Sequence, residues 1–255
     1  MLVRALDVTG SAMGLSEPVV LNDMVGWRRR GADPRFHGKV LDDTLNQLAR
    51  PFGAGEAVVV KPSNIFNGLA TGALTIRPTS RAVLLYAPLE EFLISVAGKG
   101  MWCRLWVREL LEGMLKERLV DLGFEPRDYF RQTDLQIAGV GWLAQQTLFH
   151  RMIAHFGSDR IVTLDSETLT RDAPTSVASV AKQFELKACD RANYAAHPAI
   201  LRNSKSGDEF APGQRQSDQR RTREAHADEI EKVAEWVRVV GERQGIVLEL
   251  PLSLT

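Results

Sequence analysis

Cysteine is scarce in this chain: only Cys103 and Cys189 occur among 255 residues. Neither stands in a CxxC pair or at metal-ligand spacing from a histidine, so the pattern gives no disulfide framework and no zinc site. Both lie in apolar helical surroundings, where cysteine acts as a small buried hydrophobe. That usage suits a reducing compartment, and the cytoplasm is the expected location. Net charge is equally lacking, with 32 basic and 32 acidic residues. A globally basic nucleic-acid binder is thereby disfavoured, and any anion site must be local. No apolar run reaches the length of a membrane span. Arg4 and Asp7 break the first apolar stretch, which argues against a signal peptide. Internal repeats and a GxxxxGK[ST] string are missing too.

Hydrophobic residues make up 44% of the chain, enough for a substantial core. The length allows one large α/β domain or two small ones, and a single domain over 1–255 is expected. Three apolar runs predict strands: "AVVVK" at 57–61, "RAVLLYA" at 81–87 and "RIVTLD" at 160–165. None alternates, which is the pattern of strands buried on both faces in one parallel sheet. Helical spacing predicts helices at 36–49, 90–98, 101–120, 139–156, 174–186 and 222–243. The last is a charged C-terminal helix with Ile230, Val233, Trp236, Val237 and Val240 as its buried stripe. The polar segment 200–221 predicts a loop or lid. The opening "MLVRALDVTG" predicts the last two turns of a helix, with Gly10 just past its end. Strands alternating with helices predict a layered α/β domain with ligands at the carboxyl ends of the strands.

Several residues follow these strands. Lys61 ends the first and sits before Pro62-Ser63-Asn64, a helix start. It suits either a snorkelling surface lysine or a cation that stabilises developing negative charge. After the second strand, Pro88 begins a helix whose first turn holds Glu90 and Glu91. Ser95, one turn beyond Glu91, can hold a phosphate or bond back to a carbonyl. Asp165 and Glu167 after the third strand can cap a loop, bind a metal or contact a substrate, with capping the default. Glu17, before Pro18, is either a general base or a solvated loop acid.

In this order, the elements resemble the sulfotransferase family, particularly its bacterial members. "RIVTLDSETLTRDAPTSVASVAKQFEL" is similar to that family's strand, acid and proline-led helix. "RAVLLYAPLEEFLIS" is similar to its proline–serine element, and "GWLAQQTLFHRMI" to its Trp-bearing helix. The likeness covers most of residues 2–187. It implies a three-layer α/β/α fold with a mainly parallel sheet, like that of P-loop nucleoside triphosphatases. It also implies a donor substrate, 3′-phosphoadenosine 5′-phosphosulfate, with no metal, and a small-molecule or carbohydrate acceptor presenting a hydroxyl or amine. Glu17 becomes the base and Lys61 the cation on the bridging oxygen. Ser95, Arg202 and Lys205 become contacts to the 3′-phosphate. Three positions depart from the family. Tyr86 stands where an arginine usually contacts that phosphate. Ser95 follows Pro88 by seven residues rather than six, and Ser63 occupies the place of the eukaryotic catalytic histidine.

The family places a strand and a Gly/Ser/Thr-rich phosphosulfate loop before the first helix, and nothing of that kind precedes Leu2. The expectation is an N-terminally truncated fold that is poorly stable, prone to pair with copies of itself through open strand edges, or both. Sulfate transfer is then expected only of a longer product of the same gene. Two alternatives remain open: a degenerate protein that binds a nucleotide or a partner without turnover, and a small-molecule kinase using Asp165 on magnesium.

Overall fold

The computed structural model describes residues 1–187, 190–201 and 214–254. The chain is mixed α/β. It begins with α1 (Leu2–Ala5), β1 (Ala12–Ser16), α2 (Val19–Arg29), α3 (Pro34–Leu48), β2 (Ala57–Lys61) and α4 (Asn67–Ile76). Then come β3 (Ala82–Tyr86), α5 (Leu89–Gly98), α6 (Gly100–Lys116), α7 (Pro126–Tyr129) and α8 (Asp134–Phe156). After β4 (Ile161–Asp165) follow α9 (Ser166–Arg171), α10 (Ala173–Gln183), α11 (Arg191–Ala195), α12 (Pro198–Leu201), α13 (Gln214–Ala225) and α14 (Ala227–Arg243). No described helix is long and apolar enough to cross a membrane.

The chain divides into two compact units, one of Met1–Leu84, Ser158–Phe210 and Ser253–Thr255, the other of Leu85–Gly157 and Ala211–Leu252. All three expected strands form, but not as one sheet. β1 pairs with β2 in parallel, and β3 pairs with β4 in a second small parallel sheet. Arg160, at the head of β4, ties the turn before β3 by donating to the carbonyls of Ser80, Leu74 and Arg77 at 3.0, 2.8 and 2.7 Å. Burial on both faces is realised only in β4, where Ile161 to Leu164 are buried. β2 has no buried residue and β3 only Leu84. Among the described residues each of these two strands has one hydrogen-bonded strand neighbour.

The opening helix is shorter than its spacing predicts. α1 ends at Ala5, and Val8 to Ser11 turn back so that Val8 bridges Ala12. Gly10 takes φ +80° in that turn rather than closing a helix, a conformation glycine adopts freely. β1 itself has no sequence signature: "AMGLS" carries neither an apolar run nor β-branched residues. Its pairing with β2, and the Asp7 carboxylate accepting from Gly14 N at 3.1 Å, hold it in place. Ala5, Leu6 and Ala12 pack with Leu164, Val177, Val180 and Tyr194 in one core, while Leu21, Met24 and Val25 of α2 pack with Leu41, Phe66 and Leu69 in another.

The second unit is helical around one core, with Leu93 and Ile94 of α5, Leu111 of α6, Leu135 and Leu143 of α8 and Val237 of α14 at its centre. Cys103 is buried and free here, while Cys189 lies outside the described residues. Gly139 marks where α8 meets α14, because a Cβ at that position would lie 2.3 Å from Val237 Cγ2. The polar segment 200–221 is not loop throughout, since residues 214–221 belong to α13. α13 has no apolar face. It is supported along its length by ion pairs such as Arg220 to Glu224 at 2.8 Å, and from α5 by Glu91, which accepts from Gln219 at 2.8 Å and Arg223 at 2.9 Å. The expected helix 222–243 is broken at His226, and only its part from Ala227 forms the long C-terminal helix.

Candidate functional site

The register of the first sheet places Ser16 opposite Lys61, so β1 and β2 deliver their carboxyl ends side by side. Glu17 N donates to Lys61 O at 2.7 Å and carries the ladder one residue further. Beyond it the two side chains meet, with Lys61 Nζ donating to Glu17 Oε1 in an ion pair. Both are about half exposed, at 48% and 50%, so the pair is open to a ligand and adds only about 0–1 kcal/mol to stability. Glu17 sits at φ +52°, in the left-handed region that non-glycine residues avoid. Pro18 follows at φ −55° and turns the chain into α2. A strained residue that presents a carboxylate at a strand end is the kind of outlier found at functional sites.

A second link joins the same two chain exits. Ser63 Oγ donates to Asn22 Oδ1 at 2.9 Å, tying the residues after Lys61 to the first turn of α2. Sequence reading places Ser63 at the family's histidine position but passes over Asn22. Its only signal is its place one turn into the helix that follows Glu17. The start of α1 also lies close by. Burial, then Arg4, then Lys61 lower the pKa of the Met1 ammonium, so Lys61 is near enough for its charge to be felt there.

Ser95 is half-buried on α5, in the second unit. Trp142 fastens the Trp-bearing helix to the chain just before α5, its Nε1 donating to Ala87 O at 2.8 Å. Arg202 and Lys205 fall outside the described residues. Asp165 behaves as a cap. Its Oδ1 accepts from the amides of Glu167 and Thr168 at 2.9 and 2.8 Å. Burial pushes this carboxyl up, but the Thr168 hydroxyl and amide, the Glu167 amide and Arg171 outweigh it and hold it below the usual range. Among the described residues, no three His, Cys, Asp or Glu side chains are grouped to hold a metal ion.

Chemically, the paired strand ends offer a carboxylate that can accept a proton, an ammonium that can neutralise an anion, and an amide fixed by a hydroxyl. No protein-family model, curated protein or solved structure matches this chain.

Proposed function

We propose that the protein handles a sulfuryl donor at the paired ends of β1 and β2 and transfers the sulfuryl group to a hydroxyl or amine acceptor. The donor is 3′-phosphoadenosine 5′-phosphosulfate, and the fold is of the three-layer, P-loop-like kind. The observation that carries this reading is the meeting of Glu17 and Lys61 at the carboxyl edge of a parallel strand pair. That is where α/β sheets place their ligands.

Glu17 takes the acceptor proton as the acceptor oxygen or nitrogen bonds to sulfur. The bond from sulfur to the bridging oxygen breaks at the same time, and its electron pair leaves with adenosine 3′,5′-bisphosphate. Lys61 neutralises the charge that appears on that oxygen. The ion pair gives the two events a natural coupling. Once Glu17 is protonated it no longer competes for the Lys61 ammonium, which is freed when the leaving oxygen needs it. The rate then rests on position and charge, as in phosphoryl transfer.

A second reading draws on the same pair. With Glu17 and Lys61 satisfying each other, the site can also serve a protein that binds the nucleotide and does not turn over. The kinase alternative gains nothing from Asp165, whose Oδ1 is committed to capping α9. Melting the protein of the native gene with adenosine 3′,5′-bisphosphate, beside a radiolabelled sulfate transfer assay, tests the proposal. At one hundred times the dissociation constant, the ligand stabilises the fold by about 2.7 kcal/mol. Stabilisation with transfer supports an enzyme, and stabilisation without transfer supports the binding protein. Neither effect overturns both.

A further inference from the structure

We infer that Asn22 is a binding residue of this site, its side-chain amide donating to an oxygen of the anionic group held beside Lys61, with Ser63 as its positioning residue. The inference rests on the reading above for the identity of that group, a sulfuryl group in transfer, but not for the existence of an oxyanion site.

Ser63 is the first indication. It stands at the N-cap of the short 3₁₀ turn Asn64–Phe66, where a serine hydroxyl ordinarily caps the following amides, yet it makes no such bond. Its hydroxyl reaches instead across 41 residues of sequence to Asn22 Oδ1. The acceptor end of the Asn22 amide is thereby occupied and its orientation fixed. The Nδ2 group, with two donors, makes no hydrogen bond to any described residue and is not among the buried unsatisfied atoms. Leu21, Met24 and Val25 anchor α2 on its buried side, so the helix cannot easily roll to hide Asn22. The result is a half-exposed amide donor held in one orientation, on the same two chain exits that carry Glu17 and Lys61.

A neutral donor suits this position. The Glu17 carboxylate already offsets the charge of Lys61, and a fixed dipole attracts an anionic oxygen without needing a counter-ion of its own. Asn22 gives and takes no proton or electron pair. It holds a non-bridging oxygen while sulfur changes partners, and the fixed orientation avoids reorganisation at that moment.

Titration with sodium sulfate, followed by the side-chain amide NMR signals of isotopically labelled protein, tests this directly, with sodium chloride at matched ionic strength as control. The Asn22 signals are assigned by their loss in Asn22→Asp. They should shift saturably with sulfate and not with chloride. Asn22→Leu removes the donor without adding charge and should weaken sulfate binding about ten-fold or more, as expected for a hydrogen bond to a charged group. Ser63→Ala removes only the anchor and should weaken it about three-fold or less, with Ser63→Thr restoring the wild-type affinity. Equal effects of Asn22→Leu and Ser63→Ala would reduce Asn22 to a structural partner and overturn the inference. So would signals that respond alike to both salts. Should the sulfuryl-transfer reading alone be wrong, sulfate still binds through Asn22 while adenosine 3′,5′-bisphosphate neither stabilises the protein nor accompanies transfer.

Discussion

β2 and β4 carry similar apolar runs, and they end in opposite ways. Four residues of β4 are buried, and its terminal Asp165 is turned inward on its own chain as a helix cap. No residue of β2 is buried, and its terminal Lys61 is half exposed, facing a carboxylate held in a strained backbone conformation. One strand end is turned to capping the fold, and the other stays half exposed in an ion pair. The sequence of a strand sets its hydrophobicity, but its neighbours decide how much of it meets water.

The contrast can be broken most forcefully in the strands themselves. Leu164 is fully buried in β4, and Leu164→Ala should cost about 2–5 kcal/mol in urea unfolding. Val59→Ala, in half-exposed β2, should cost under about 1.5 kcal/mol. Equal costs would show that β2 is covered after all.

Smaller effects are expected at the ends. Asp165→Ala removes a helix cap and should cost roughly 1 kcal/mol at neutral pH. Because the folded-state pKa of Asp165 is lowered, its contribution is complete above the ordinary carboxylate range and fades as pH falls through the folded value. Stability curves of wild type and variant should therefore converge only as pH falls well below the ordinary carboxylate range. A gap that persists in acid would mean the carboxylate charge is not what stabilises α9. Glu17→Gly relieves the positive φ. It should leave stability unchanged or raise it by up to about 1 kcal/mol, while abolishing any base function. A clear loss of stability would show that the carboxylate serves the fold and not the reaction.

The sequence carried the fold unevenly, for physical reasons. α5, α6, α8 and α14 bury an apolar stripe against one another, so their spacing announces them. β1 was illegible because "AMGLS" is a strand only through its partner. α13 was illegible because its support is ionic and partly borrowed from Glu91, and no periodicity records that. The number of sheets also lies beyond local pattern, since strand pairing is a long-range choice. At the site, Glu17 and Lys61 stood out by residue type beside a proline. Asn22 did not, because its meaning comes from a bond to a serine 41 residues away.

Radiolabelled sulfate transfer by the protein of the native gene, compared with its Lys61→Ala variant, tests the central claim most directly. The ion pair is half exposed, so the variant should melt within a few degrees of wild type, in keeping with a loss of about 0–1 kcal/mol. Wild type should transfer sulfate from 3′-phosphoadenosine 5′-phosphosulfate to a hydroxyl or amine acceptor, and Lys61→Ala should do so at least about a hundred-fold more slowly. Equal rates in the two proteins, or no transfer by wild type to any acceptor in a broad panel, would contradict the assignment of this strand end as a sulfuryl-transfer site.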